Sequence, residues 1–147
     1  MALIDTLKGD VKAAMKSGDK PRLATIRMLI AALQNERIAR EKDLSADDEL
    51  QLLATQAKRR RESIDLYTKG GRDDLAVKEQ EELAVIETYL PAQLTEEDVR
   101  GIIAEIVVAT GAESMRDMGK VMGQLMPKLK GRFDGKLAKG LVQSALQ

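Results

Sequence analysis

The chain has 147 residues, 44 % hydrophobic but only 2 % aromatic, a balance that supplies an aliphatic core for helices and argues against a sandwich or barrel. Lys+Arg and Asp+Glu both number 24, so the net charge is zero and whole-chain electrostatics name no partner. Without cysteine or histidine, disulfides, zinc sites built on thiolate or imidazole, and Ser-His-Asp or Cys-His catalysis are all excluded within this chain.

Leu3 to Ser17 reads as a first helix, with Leu3, Leu7, Val11, Ala14 and Met15 on one face and Gly18 as its stop. Asp19 is the expected N-cap of a second helix that tolerates Pro21 in its first turn and carries Leu23, Ile26, Ile30 and Leu33 inward. Its apolar stripe fades beyond Ile38. Ser45 and Asp48 have the spacing of a capping box opening a third helix, striped by Leu50, Leu53, Ala57, Ile64 and Tyr67 and stopped by Gly70-Gly71. A fourth helix is expected from Asp73 to Tyr89 or Leu90, before Pro91.

Pro91 to Thr95 is the expected domain boundary. Thr95 followed by Glu96, Glu97 and Asp98 combines a cap with acids against the helix dipole, and Val99, Ile102, Ile103 and Ile106 carry the fifth helix to Gly111. Ser114 is the expected cap of a sixth helix with Met118, Val121, Met122, Leu125 and Leu129 inward and Pro127 as a kink or end. Asp134 caps a last helix along Leu137, Leu141, Val142 and Ala145. The reading is therefore all-α: an N-terminal four-helix domain over residues 1–91 and a three-helix tail domain over 92–147. The N-terminal stretch is too polar for a secretory leader and too acidic for a transit peptide, and no apolar run reaches the ~18 residues of a membrane span. A cytoplasmic protein without membrane association is expected.

Three groups of residues invite a chemical reading. On the fourth helix Glu79 and Glu82 share the apolar face of Leu75, Ile86 and Tyr89, while Arg60 sits between Ala57 and Ile64 on the third. A paired-carboxylate metal or acid/base site is one reading. Carboxylate metal sites in bundles usually add histidine, so an internal ion pair joining Arg60 to Glu79 or Glu82, with Arg27 beside it, is the plainer one. No catalytic residue, metal or cofactor is assigned. The run Lys58-Arg59-Arg60-Arg61 fans around most of a helical turn and faces Glu62 and Asp65 at four-residue spacing, which suits an ion-paired face better than a nucleic-acid site.

The third group is the tail. From Ala92 to Glu113 there are five acids and one base; from Met115 to the end there are seven bases and two acids. Gly119 and Gly123, four apart, leave a flat strip on one side of helix six. Gly131-Arg132-Phe133-Asp134-Gly135 reads as a turn feeding a helix N-terminus, a place that favours anions. Lys128, Lys130 and Arg132 lie next to it, and Lys120, Lys136 and Lys139 belong to the same basic stretch. The alternatives are a solvated face and a surface for RNA or phosphate.

The tail, MGKVMGQLM over Met118–Met126 followed by KGRFDG over Lys130–Gly135, closely resembles the C-terminal tail domain of the B subunit of the tRNA-dependent glutamyl/aspartyl-tRNA amidotransferase. The whole chain, with TIRMLIAALQN, KRRRESIDLY, GGRDDLAVKEQEEL and YLPAQL, resembles the free-standing YqeY family, which bears that tail without the amidotransferase body. Phe133 departs from it, standing where the family typically has a small residue; it either stacks on a base or packs under the turn. The resemblance implies two helical domains and an RNA-contacting or turn-forming role for Gly119, Lys120, Gly123, Lys130, Gly131, Arg132, Asp134 and Gly135; the basic pattern adds Lys128, Lys136 and Lys139. It implies a non-catalytic accessory protein of tRNA metabolism, with tRNA or a tRNA-handling enzyme as partner. The alternatives are a protein-interaction adaptor that binds no RNA, and a component of glutamine-dependent carbon–nitrogen ligase activity. The chain's own residues offer no cysteine nucleophile, amidase-like segment or P-loop for the last.

Overall fold

A computed structural model describes residues 2–147; Met1, the first residue of the expected 1–91 domain, lies outside the described residues. Among them the chain forms seven α-helices, one 3-10 turn and no strand. It divides into two compact units between Leu90 and Pro91. No helix is long and apolar enough to cross a membrane.

The first unit holds α1 (Ala2–Ser17), α2 (Lys20–Arg40), α3 (Ala46–Lys69) and α4 (Asp73–Glu87). The caps follow local chemistry. Gly18 takes φ +73°, the Asp19 carboxylate accepts from the Arg22 N–H, and Ser45 and Asp48 form the reciprocal capping box. α4 ends at Glu87, short of Tyr89, because the Thr88, Tyr89 and Leu90 N–H groups turn back to carbonyls three residues earlier ahead of Pro91. α1 packs on α2, α3 runs along α4, and α2 meets α4. Leu7, Ile26, Leu29, Leu33, Leu53 and Ile86 are fully buried between them. Burying each such side chain is worth about 1.5–3 kcal/mol, so Leu33→Ala should cost about 2–5 kcal/mol. Met15, expected inward, is mostly exposed; the inward face of α1 is Ile4, Leu7 and Ala14.

The second unit holds α5 (Glu96–Thr110), the 3-10 turn Met115–Asp117, α6 (Met118–Leu129) and α7 (Gly135–Leu146). A second capping box joins Thr95 to Asp98, and Gly111 closes α5 at φ +68°. Ser114 caps the 3-10 turn rather than α6 itself. Pro127 sits in the last turn of α6, which ends two residues later. The core is Val99, Ile103 and Ile106 from α5, Val121, Leu125 and Leu129 from α6, and Ala138, Val142 and Leu146 from α7. The inward face of α7 is thus turned from the expected one: Leu137 is 61 % exposed and Ala145 is exposed. The narrow Ala138 brings this helix close to its neighbours where Leu137 would hold it off.

Candidate nucleic-acid interface

The connection between α6 and α7 centres on Gly131, whose φ of +72° lies where a side chain is strained. This lets the Arg132 and Phe133 N–H groups both return to the Leu129 carbonyl, at 2.8 and 3.1 Å. Phe133 is half-buried against the tail core, so of the two roles open to it the structure displays packing under the turn.

Arg132 does something the sequence did not signal. Its Nε donates to the Ala92 carbonyl at 3.0 Å and its Nη1 to the Lys128 carbonyl at 3.5 Å. Its own carbonyl accepts the Leu94 N–H at 2.9 Å, and the Gln93 side-chain amide donates to the Gly131 carbonyl at 2.8 Å. The segment 91–94 is thereby laced to the turn through backbone atoms. Asp98, held below the usual carboxylate range chiefly by the Thr95 N–H and then its hydroxyl, also feels the Arg132 charge. Arg132, expected among the cations offered to a polyanion, is mainly a strap.

At the last helix the expected Asp134 cap is present, and it changes the anion seat expected beside it. Asp134 caps α7, its carboxylate accepting the Lys136 N–H at 2.9 Å. A carboxylate therefore already sits where an incoming anion was expected, and the N-terminus of α7 is not an open phosphate seat. Gly135 opens the helix against α6: a methyl group there would approach Met126 Cε to 3.1 Å.

On α6 itself Gly119 and Gly123 are exposed, and a methyl group on either meets no neighbour within 4 Å. Pro127 has no N–H to give, so the Gly123 carbonyl lacks its usual donor four residues on. Lys120, Lys128, Lys136 and Lys139 are all exposed, and none is in an ion pair with a described residue. Asp117 feels the Lys120 charge, but its carboxyl is lowered mainly by the Glu113 and Ser114 N–H groups. Lys130 is exposed and engaged within the protein.

In the first unit the structure brings Arg60 and Glu82 together. Arg60 Nε lies 3.4 Å from Glu82 Oε2, with the side chains 11 % and 23 % exposed. The contact is a charge contact without an aligned hydrogen bond from Nε. Arg60 Nη1 donates to the Gln56 side chain and Nη2 points at the Met28 sulfur. Glu79 is half-buried on the same helix, with no ion pair to Arg60. Arg27 stands apart from the group expected to include it: it is exposed, and its Nη2 lies 4.0 Å from the Met15 sulfur. Arg61 pairs with Glu87 at 3.1 Å. The Tyr89 hydroxyl donates to Asp10, a link across 79 residues that helical periodicity does not reveal; burial first and that bond second push the phenol up to about 12. Among the described residues no group of three or more acids is placed to hold a metal ion.

A family model described as Yqey-like protein matches residues 4–146. Curated relatives share the name "Altered inheritance of mitochondria protein 41, mitochondrial". One from Eremothecium gossypii is 41 % identical over 87 residues, covering 58 % of this chain and 48 % of the relative. One from Pyrenophora tritici-repentis is 32 % identical over 134 residues, covering 88 % and 72 %. One from Saccharomyces cerevisiae is 35 % identical over 91 residues, covering 60 % and 49 %. The matches thus span about half the length of the first and third relatives. All three are named as mitochondrial proteins, which overturns the expectation of a cytoplasmic one. The match over 4–146 makes the chain a member of the YqeY family.

Proposed function

We propose that this chain is a non-catalytic accessory protein of tRNA metabolism, and that its second unit, acting as a tail domain over residues 92–147, binds tRNA or a tRNA-handling enzyme. The observation that carries the reading is the set of four exposed lysines, Lys120, Lys128, Lys136 and Lys139, left without carboxylate partners on two packed helices. Lys120 lies beside the flat strip left by Gly119 and Gly123 on α6, and an ammonium group there suits a phosphate backbone that approaches closely. Arg132 and Gly131 hold the turn between the helices, and Gly135 lets α7 start against Met126.

Four phosphate contacts at about 0.7–0.9 each give an expected slope of log K against log salt of roughly −2.8 to −3.6. The test is a titration of tRNA at several salt concentrations with the wild type and a Lys120/Lys128/Lys136/Lys139→Glu variant. Absence of binding at low salt, or binding untouched by the charge reversal, rejects direct RNA contact. A protein-interaction adaptor is the second reading, favoured by the exposed Val108 and Leu137 of the same unit; its partner would survive nuclease treatment. Intrinsic carbon–nitrogen ligase activity requires glutamate release from glutamine in the presence of ATP and mischarged tRNA, and a flat assay discards it.

A further inference from the structure

The tail unit carries two outward helix faces that complement each other in shape and charge. On α5 the exposed residues Glu97, Gly101, Ala104, Glu105 and Val108 fall within about 100° of arc. Val108 is 83 % exposed, the most exposed large hydrophobic among the described residues. Of the other acids nearby, Glu96 is paired with Arg100 and Asp98 is held in its capping box, so Glu97 and Glu105 are the carboxylates this face displays. On α6 the outward face runs Gly119, Gly123, Met126, with Met126 40 % exposed. Lys120 flanks its start. Gly135 abuts Met126, so Lys136, one residue on, flanks its end.

Each face thus has a gap at one end and an exposed apolar side chain at the other, seven residues apart: Gly101 and Val108 on α5, Gly119 and Met126 on α6, the last with its Cε turned toward Gly135 and its outer flank free. Seven helical residues span about 10.5 Å, so the two faces match in length. Laid antiparallel, Val108 enters the gap at Gly119 and Gly123, while Met126 enters the gap at Gly101 and Ala104. The same orientation sets Glu105 near Lys120 and Glu97 near Lys136, and places Lys120 at the negative end of the α5 dipole.

We infer that α5 of one copy docks antiparallel on α6 of a second copy, with Val108 and Met126 as reciprocal knobs and Glu105–Lys120 and Glu97–Lys136 as pairs. One chain cannot satisfy both faces by itself, since both are exposed in it. A contact between different faces is head-to-tail and propagates unless its rotation closes. Strips this short give transient interfaces, so the assembly forms at high protein concentration and low salt.

The test is sedimentation velocity of nuclease-treated protein across a concentration series at low and high salt. The wild type should gain mass with concentration, and lose the gain at high salt. Glu97→Lys/Glu105→Lys and Lys120→Glu/Lys136→Glu variants should each stay monomeric, and their equimolar mixture should restore association. Gly123→Leu, whose β-carbon has no neighbour within 4 Å in its own chain, should abolish association with an unchanged helical circular dichroism spectrum. A wild type monomeric at every concentration overturns the inference, as does association that ignores the charge reversals or a mixture that fails to complement. Because no RNA is present, a negative result leaves the lysine titration with tRNA as a separate matter.

Discussion

Glu82→Ala is the most informative change in the first unit, because it leaves the Arg60 guanidinium buried without its counter-charge. Removing one member of a buried pair typically costs about 3–5 kcal/mol. Two details lower the figure here: Glu82 keeps 23 % exposure, and the 3.4 Å contact with Nε is not an aligned hydrogen bond. About 2–3 kcal/mol is therefore expected. Arg60→Met instead removes the charge that needs compensating and leaves an unbranched chain against Met28, so it should cost about 1 kcal/mol or less. Glu79→Ala, which breaks no ion pair with Arg60, should cost about 0.5 kcal/mol. Urea unfolding followed by far-ultraviolet circular dichroism orders the three variants. If Glu79→Ala and Glu82→Ala cost the same, or Arg60→Met costs as much as Glu82→Ala, the assignment of the buried pair is mistaken.

The tail unit offers a sharper contrast between glycines: Gly131→Ala forces a side chain into the left-handed region and should cost about 1–2 kcal/mol, whereas Gly119→Ala adds helix propensity in open space and should gain up to about 1 kcal/mol. Thermal melts of the two single variants check the opposite signs. Arg132→Lys keeps the charge but loses the fork that reaches both Ala92 and Lys128, so hydrogen exchange at the Leu94 amide should accelerate. Tyr89 has its ionisation pushed up from 10.0 to about 12 in the fold, so its stabilising effect is complete below pH 10 and disappears as pH rises toward 12. Alkaline denaturation of Tyr89→Phe should lack that component. Asp98 is shifted the other way, so its contribution is present above its ordinary value of 3.8 and is lost as acid protonates the folded carboxylate; Asp98→Asn should flatten the acid limb of a stability–pH curve.

Much of the helical frame was legible because its signals are local. Asp19, the Ser45–Asp48 and Thr95–Asp98 boxes, Gly18 and Gly111 each act within a turn of their own position, so spacing alone reveals them. Side-chain stripes were legible where they were long, as with Val99, Ile103 and Ile106. They slipped on the twelve-residue α7, where Leu137, Ala138, Leu141 and Val142 allow two neighbouring faces and packing on α6 chooses between them. The candidate site was less legible. The partners of Arg132 are backbone carbonyls, which carry no residue signature, whereas the Asp134 cap was legible from its place just before the last helix. Arg27 is close to Arg60 in type but not in space, and Tyr89 finds Asp10 from the far end of the unit.

The lacing of Pro91–Leu94 to the turn at Gly131 also governs how the tail can travel. A fragment cut at Thr95 keeps every residue of α5, α6 and α7 yet sheds the anchors at Ala92, Gln93 and Leu94. Grafted onto another protein, such a fragment would carry a frayed loop where its arginine had been fastened. A transplant that starts at Pro91 brings its own clasp, so the short stretch that looks like a spacer belongs to the cargo.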